Sequence, residues 1–376
     1  MATLFLEDGS IFRGESFGAK APKIKDINSN QSISEIVFNT SMTGYQQILS
    51  DPSYKGQMVC FTYPQIGNYG IIKDEEENIL DKKIHVSAIV VKDYYDGKVD
   101  KERIKLNDYL IQNNIIGITD IDTRKLTLHL RDNGFKRAII IDEDNLGKDD
   151  ALFVIKHLLS FDFISQTNLC EKVSTKDSLY NPSIKNCKYK NSNNQIKCAL
   201  IDFGIKISII KELYKRNVDV TLFNCNTDYT KILNNNFDLL FLSNGPGDPE
   251  TQIAAIELVQ KCKNKIPIVG ICLGHQIITL ALGGKTSKMK FGHHGANQPV
   301  SDIFTNKTFV TSQNHSFVCS TLPQDATLWF RNSNDNSVEG IKIPSSKIMS
   351  VQFHPEASAG PKDSLWIFDA FLSEVK

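Results

Sequence analysis

Two rhythms of apolar residues divide the chain. Up to about residue 150, short apolar runs at 3–6, 34–38, 58–62 and 86–91 alternate with Gly-, Asn- and Asp-rich turns. That punctuation predicts a β-rich module. A few helices interrupt it. Residues 105–112 are amphipathic and lead into a strand at 115–118, and 123–130 is helical with Asp122 as its N-cap. Leu152, Ile155, Leu158 and Leu159 recur near helical spacing within 149–160. From 162 to 195 the periodicity fades, and 186–194 is polar throughout, as expected of an interdomain linker. Beyond it, strands at 196–201, 218–223, 239–243 and 266–271 alternate with helices at 207–216, 253–261 and 276–282. Further strands are expected at 308–311, 327–330 and 347–353.

This order predicts an α/β protein in three stretches: a β-rich α/β domain over 1–150, a helix and polar linker over 151–195, and a domain over 196–376. The last has the βα alternation of a mostly parallel sheet flanked by helices. Composition narrows the partners. Lys+Arg and Asp+Glu each number 43, so the formal net charge is zero, and neither a nucleic acid nor a membrane is expected as partner. No apolar run is long enough to span a bilayer, and residue 1 runs almost directly into a strand with no signal-peptide pattern. The eight cysteines form no Cys-x-x-Cys pair, so a reduced compartment is expected, without a zinc site or disulfide framework.

The chemistry concentrates in Gly270-Ile271-Cys272-Leu273-Gly274-His275-Gln276. A β-branched run, a Gly-x-Cys-x-Gly turn and a helical pattern predict a nucleophile elbow with sulfur in place of a hydroxyl. Its plain alternative is an inert strand-end cysteine. A thiol nucleophile needs a base and a group to orient it. His354-Pro355-Glu356, at the end of a predicted strand, offers both, where a surface ion pair would be the ordinary reading. Asn244-Gly245-Pro246-Gly247-Asp248-Pro249 follows another strand, and its amides, with the Leu273 N–H, suit an oxyanion. His315 is a second candidate base. His293-His294 lacks a ligand partner at metal spacing, so no metal is expected.

These residues resemble the class I (triad) glutamine amidotransferase domain. Leu6-Glu7-Asp8-Gly9, Asn39 to Gln46, Asp51-Pro52-Ser53-Tyr54, Ile121 to Leu126 and Lys288 to Gly295 resemble the small, glutamine-hydrolysing subunits of carbamoyl-phosphate synthetases. The resemblance covers essentially the whole chain. It implies glutaminase chemistry, with Cys272, His354 and Glu356 catalytic. It assigns L-glutamine binding to Ser53, Gly245, Gly247, Leu273, Gln276, Asn314, Ser316 and Phe317. Ser316 stands where a glycine is usual, which matters if that position requires a positive φ. Ile205-Lys206-Ile207-Ser208 departs from the basic, polar helix start usual in the family.

The resemblance also implies a large synthetase subunit as partner, in a heterodimer or higher oligomer. That subunit would hold ATP, Mg and K, with no cofactor in this chain. Carbamoyl phosphate for pyrimidine and arginine synthesis would be the product, made in a bacterial cytosol or a plastid stroma. Three other readings stand beside it. An amidotransferase for another synthase conflicts with the N-terminal motifs, and a scaffold without activity conflicts with the intact Cys272, His354 and Glu356. A cysteine peptidase leaves Ser53 and the N-terminal domain unexplained.

Overall fold

The computed structural model describes residues 1–27, 33–73, 75–78, 84–143, 146–161, 167–184 and 195–375. They divide into two compact units, one of Met1–Glu76 and Lys82–Thr167, the other of Glu77–Asp81 and Asn168–Lys376.

The first unit is built on a closed seven-stranded barrel. Its strands run in the order Ala2–Leu6, Lys136–Ile141, Ser34–Asn39, Gln57–Phe61, Ala88–Val90, Ile116–Thr119 and Ile11–Gly18. Ser34–Asn39, Gln57–Phe61, Ala88–Val90 and Ile116–Thr119 pair in parallel, and the remaining pairings are antiparallel. Closure leaves no open barrel edge for another chain to extend. Val37, Val59 and Ile89, on adjacent strands, pack with Leu106, Tyr109 and Leu110 of the helix Leu106–Gln112. Phe5, Ile139 and Ile141 pack against Val154 and Leu158 of the helix Lys148–Leu159. Asp122 caps the helix Thr123–Asn133 by accepting the Lys125 N–H at 2.9 Å.

The second unit is a ten-stranded sheet in the order Leu179–Tyr180, Val218–Asn224, Ile196–Asp202, Leu239–Leu242, Ile268–Ile271, Ile348–Val351, Val338–Ile343, Thr308–Thr321, Lys285–Asp302, Thr327–Asn332. The pairings from Val218–Asn224 to Ile348–Val351 are parallel, and those beyond Ile348–Val351 antiparallel. Side chains alternate between faces along each strand. Cys198, Leu200 and Phe241 join a core with the helices Ile207–Lys215 and Trp366–Ser373. Ala199, Ile201, Leu240 and Leu242 face the opposite core, with Ile253–Cys262 and Leu273–Ala281. The sheet is thus covered by helices on both faces, as the βα rhythm predicts.

Several expectations need correction. The helix expected at 149–160 belongs to the first unit rather than to a linker. Of the proposed linker, 167–184 is not featureless. Leu179–Tyr180 adds an antiparallel edge strand to Val218–Asn224, and the Thr175 N–H donates to Asp202 at 2.7 Å. Backbone hydrogen bonds need no apolar period, so the sequence pattern misses such a strap. The polar run 186–194 lies outside the described residues. Strands Ile11–Gly18, Lys136–Ile141, Lys285–Asp302 and Val338–Ile343 carry no expectation above. The helix expected from residue 276 begins at Leu273, immediately after the cysteine.

Candidate active site

Cys272 lies between the buried strand Ile268–Ile271 and the helix Leu273–Ala281, with φ 54° and ψ −106°. A non-glycine residue in such a conformation stores roughly 1–3 kcal/mol of strain, which the surroundings must hold. They do so through two hydrogen bonds. The Cys272 N–H donates to Val351 O at 2.9 Å, and the Gly274 N–H donates to Ser243 O at 3.0 Å. The flanking glycines are needed for space. A Cβ on Gly274 would stand 2.3 Å from Leu242 O, and one on Gly270 would stand 2.7 Å from the Gly274 carbonyl carbon. The elbow predicted from Gly-x-Cys-x-Gly is therefore present, with its sulfur buried and 3.6 Å from Asn314 O.

The parallel neighbour Ile348–Val351 leads to the candidate base. Its chain continues to His354, whose N–H donates to Ser312 O at 2.9 Å in an isolated bridge. His354 Nδ1 and Glu356 Oε1 are 2.6 Å apart, both residues being buried. Its Nε2 has no hydrogen-bond partner among the described residues other than the Cys272 side chain. Burial opposes charge on this ring. The Glu356 carboxylate and the Cys272 sulfur outweigh it and raise His354 to about 10. Burial likewise opposes charge on Glu356, yet Lys206 and His354 hold it below the usual carboxylate range.

Lys206 was not anticipated as a site residue. Its Nζ lies 3.0 Å from Glu356 Oε1 and donates to Ala357 O, and its side chain is 4% exposed. A buried ammonium needs such partners, because desolvation of an unpaired charge costs several kcal/mol. The signal in the sequence was a single cation between Ile205 and Ile207, immediately before the helix Ile207–Lys215. The departure noted at 205–208 therefore surrounds a residue that touches the site.

The turn suited to an oxyanion follows Leu239–Leu242. A Cβ at Gly245 would fall 2.4 Å from Phe203 O, and Gly247 has φ 91°. Asn244 locks this turn to the adjacent loop. It accepts the Lys206 N–H at 3.1 Å and donates to Gly204 O at 2.9 Å. Leu273 opens its helix, so its N–H has no intrahelical acceptor.

The proposed substrate residues are placed unevenly. Asn314, Ser316 and Phe317 lie on the long strand Thr308–Thr321, and Asn314 is hydrogen bonded to His294 at 2.8 Å. Ser316 has a negative φ, so the usual glycine is not required there for backbone conformation. Gln276 donates from Nε2 to Phe317 O at 2.7 Å and to Gln352 Oε1 at 3.0 Å. Ser53 is buried in the first unit, where its N–H donates to Asp51 at 2.9 Å.

His315 is not placed to act as the base. Its Nδ1 lies 2.9 Å from Phe317 O and its Nε2 lies 2.7 Å from Gln313 Oε1, while burial holds it well below the usual histidine range. His275 is also neutral, lowered to about 3 by burial, and sits 2.8 Å from Ser350 Oγ. His293, His315 and Glu339 bring potential metal-ligating atoms within 4.8 Å of one another. Their ring nitrogens are already engaged with Gln313, Asp335 and Phe317. The seven described cysteines are free and buried, and no described helix is long and apolar enough to cross a membrane.

Comparison with known proteins matches residues 199–373 to the class-I glutamine amidotransferases and residues 4–140 to the CPSase domain of carbamoyl-phosphate synthase small chains. The carbamoyl phosphate synthase small chain of Clostridium perfringens is 43% identical over 373 residues, covering 99% of this chain and 98% of its own length. That of Aquifex aeolicus is 44% identical over 380 residues, with 99% and 98% covered. Among solved structures, a glutamine amidotransferase from Thermotoga maritima is 19% identical with a TM-score of 0.37, covering 49% of this chain and 85% of that one.

Proposed function

We propose, because this chain belongs to the carbamoyl-phosphate synthase small-chain family, that it frees ammonia from glutamine through a Cys272–His354–Glu356 triad and passes it to a large synthetase chain. It is the glutaminase component of that synthase. The observation that carries the triad is the buried series Lys206–Glu356–His354, whose one uncommitted ring nitrogen is left for the elbow sulfur.

The chemistry follows from that order. The Cys272 sulfur, its proton on His354 Nε2, attacks the side-chain amide carbon of glutamine. The N–H groups of Leu273 and the Gly245–Gly247 turn receive the oxyanion. His354 then protonates the departing nitrogen, and ammonia leaves behind a glutamyl thioester. His354 Nε2 next takes a proton from water, whose oxygen attacks the thioester, and returns it to the leaving sulfur, so glutamate departs and the thiol is restored. Glu356 keeps the imidazole oriented and compensates its charge throughout.

Glutamine recognition is assigned to Ser53, Gly245, Gly247, Leu273, Gln276, Asn314, Ser316 and Phe317. ATP, Mg and K are assigned to the large chain, paired with this one as a heterodimer or higher oligomer. The complex would work in the cytoplasm or a plastid stroma and supply pyrimidine and arginine synthesis. Cys272→Ser tests the division of labour in the assembled enzyme. Glutamine-dependent carbamoyl phosphate synthesis should vanish while ammonia-dependent synthesis persists, and loss of both would contradict it.

A further inference from the structure

Behind the strand that carries Asn314 lies a second cluster of charged and polar groups that the triad does not use. The long hairpin of Lys285–Asp302 and Thr308–Thr321 shifts register between Lys288 and His293. Such a bulge re-aims the side chains that follow it. Gly292, at φ +70°, permits it, since a Cβ there would meet His294 Nε2 at 2.5 Å and His315 O at 2.6 Å. After the bulge, His293 is paired with His315 and His294 with Asn314. Alternation therefore separates two layers. His294 bonds Asn314, whose carbonyl oxygen is 3.6 Å from the Cys272 sulfur. His293 and His315 form the other layer, their rings 5.0 Å apart and nearly perpendicular.

That second layer is bound at both ends. His293 Nε2 lies 2.8 Å from Asp335 Oδ2, and its Nδ1 lies 3.5 Å from Glu339 Oε1. The Gln313 carboxamide oxygen bridges the two rings, 3.1 Å from His293 Nδ1 and 2.7 Å from His315 Nε2. His315 Nδ1 then lies 2.9 Å from Phe317 O, which accepts from Gln276, and the neutral ring donates either to this oxygen or to that of Gln313. Burial opposes a charge on His293, but Asp335 and Glu339 overcome it and raise the ring to about 9. A charged imidazole held by two carboxylates is a firm anchor, because ionic hydrogen bonds are about twice as strong as neutral ones.

We propose that His293, anchored by Asp335 and Glu339, is a positioning residue that fixes the Gln313–Phe317 segment from behind and so sets the affinity for glutamine. The inference rests on the reading that this segment contacts the substrate. The ring bonds Gln313, Asp335 and Glu339 rather than the sulfur, so its loss loosens the pocket without removing any triad group. Binding shared equally by ground and transition states appears in KM alone.

The test is steady-state glutamine hydrolysis by the complex with the large chain, for wild type, His293→Ala and Asp335→Asn. His293→Ala should raise KM for glutamine about tenfold or more, with kcat within about threefold. Ammonia-dependent synthesis should be unchanged. Asp335 is the outer anchor, its side chain 41% exposed, so Asp335→Asn should fold and raise KM by a smaller factor. It decides the matter if His293→Ala does not fold. Unchanged KM in the folded variants, or a fall in kcat at constant KM, would overturn the assignment. Absence of glutamine hydrolysis in the wild-type complex would overturn the functional reading, and this inference with it.

Discussion

At the scale of single residues, function here depends on which buried charges have partners. The triad and the His293 cluster use one device, a histidine whose charge is held by carboxylates against burial. That device has a pH signature in the His293–Asp335 pair. His293 is raised from 6.5 to about 9, so its contribution is complete below 6.5 and is lost as pH rises through about 9. Asp335 is lowered from 3.8, chiefly by His293 and Ser337 acting against burial, so its contribution is present above 3.8 and is lost in stronger acid. The thermal stability of wild type relative to Asp335→Asn should therefore be greatest between pH 3.8 and 6.5 and should shrink towards pH 9. A difference constant across that range would mean the pair is not ionised as described. Residues of this kind were only partly legible in the sequence. Cys272, His354 and Glu356 stand in short motifs whose spacing suggests the roles proposed for them. Lys206 and Asp335 are joined to their partners only by tertiary contact, 150 residues apart in one case and 42 in the other.

Among the elements, the strand–turn–helix around Cys272 is set by the absence of side-chain volume. Gly274 shows this most clearly, because the carbonyl of Leu242 occupies the place of its missing Cβ. Gly274→Ala should cost about 1–3 kcal/mol in unfolding free energy, and because the elbow must shift, glutamine hydrolysis should fall with it. Gly283→Ala is the comparison. It has open space around it but φ +86°, so it should cost only about 1–2 kcal/mol and leave activity near wild type. Equal losses of activity would show that crowding at the elbow is not what matters. Element periodicity explains what the sequence made visible. The buried parallel strands are continuous apolar runs, and they stand out. Lys285–Asp302 is polar along most of its length and interrupted by bulges, so it has no alternation to find. Barrel closure was equally hidden, since it depends on the pairing of strands distant in sequence rather than on any one strand.

For the molecule as a whole, chain order and spatial order diverge. Glu77 belongs to the second unit although the residues on either side of its short segment belong to the first. Its carboxylate accepts the Ser208 N–H at 3.1 Å, at the start of the helix after Lys206, and the Ser358 hydroxyl at 2.5 Å, two residues beyond Glu356. Glu77→Ala should leave both donors short of an acceptor and lower stability by about 1–2 kcal/mol. An unchanged unfolding midpoint would mean that other groups satisfy them. The position of Ile348–Val351 has a consequence for synthesis. This strand lies inside the sheet, between Ile268–Ile271 and Val338–Ile343, and it leads to His354 and Glu356. A ribosome therefore releases the nucleophile well before the strand that must slot in beside it and bring the base. A nascent chain halted before residue 348 holds its thiol without a proton acceptor and with a gap in its sheet. On the proposed mechanism, glutamine hydrolysis should begin only once this strand has joined the sheet.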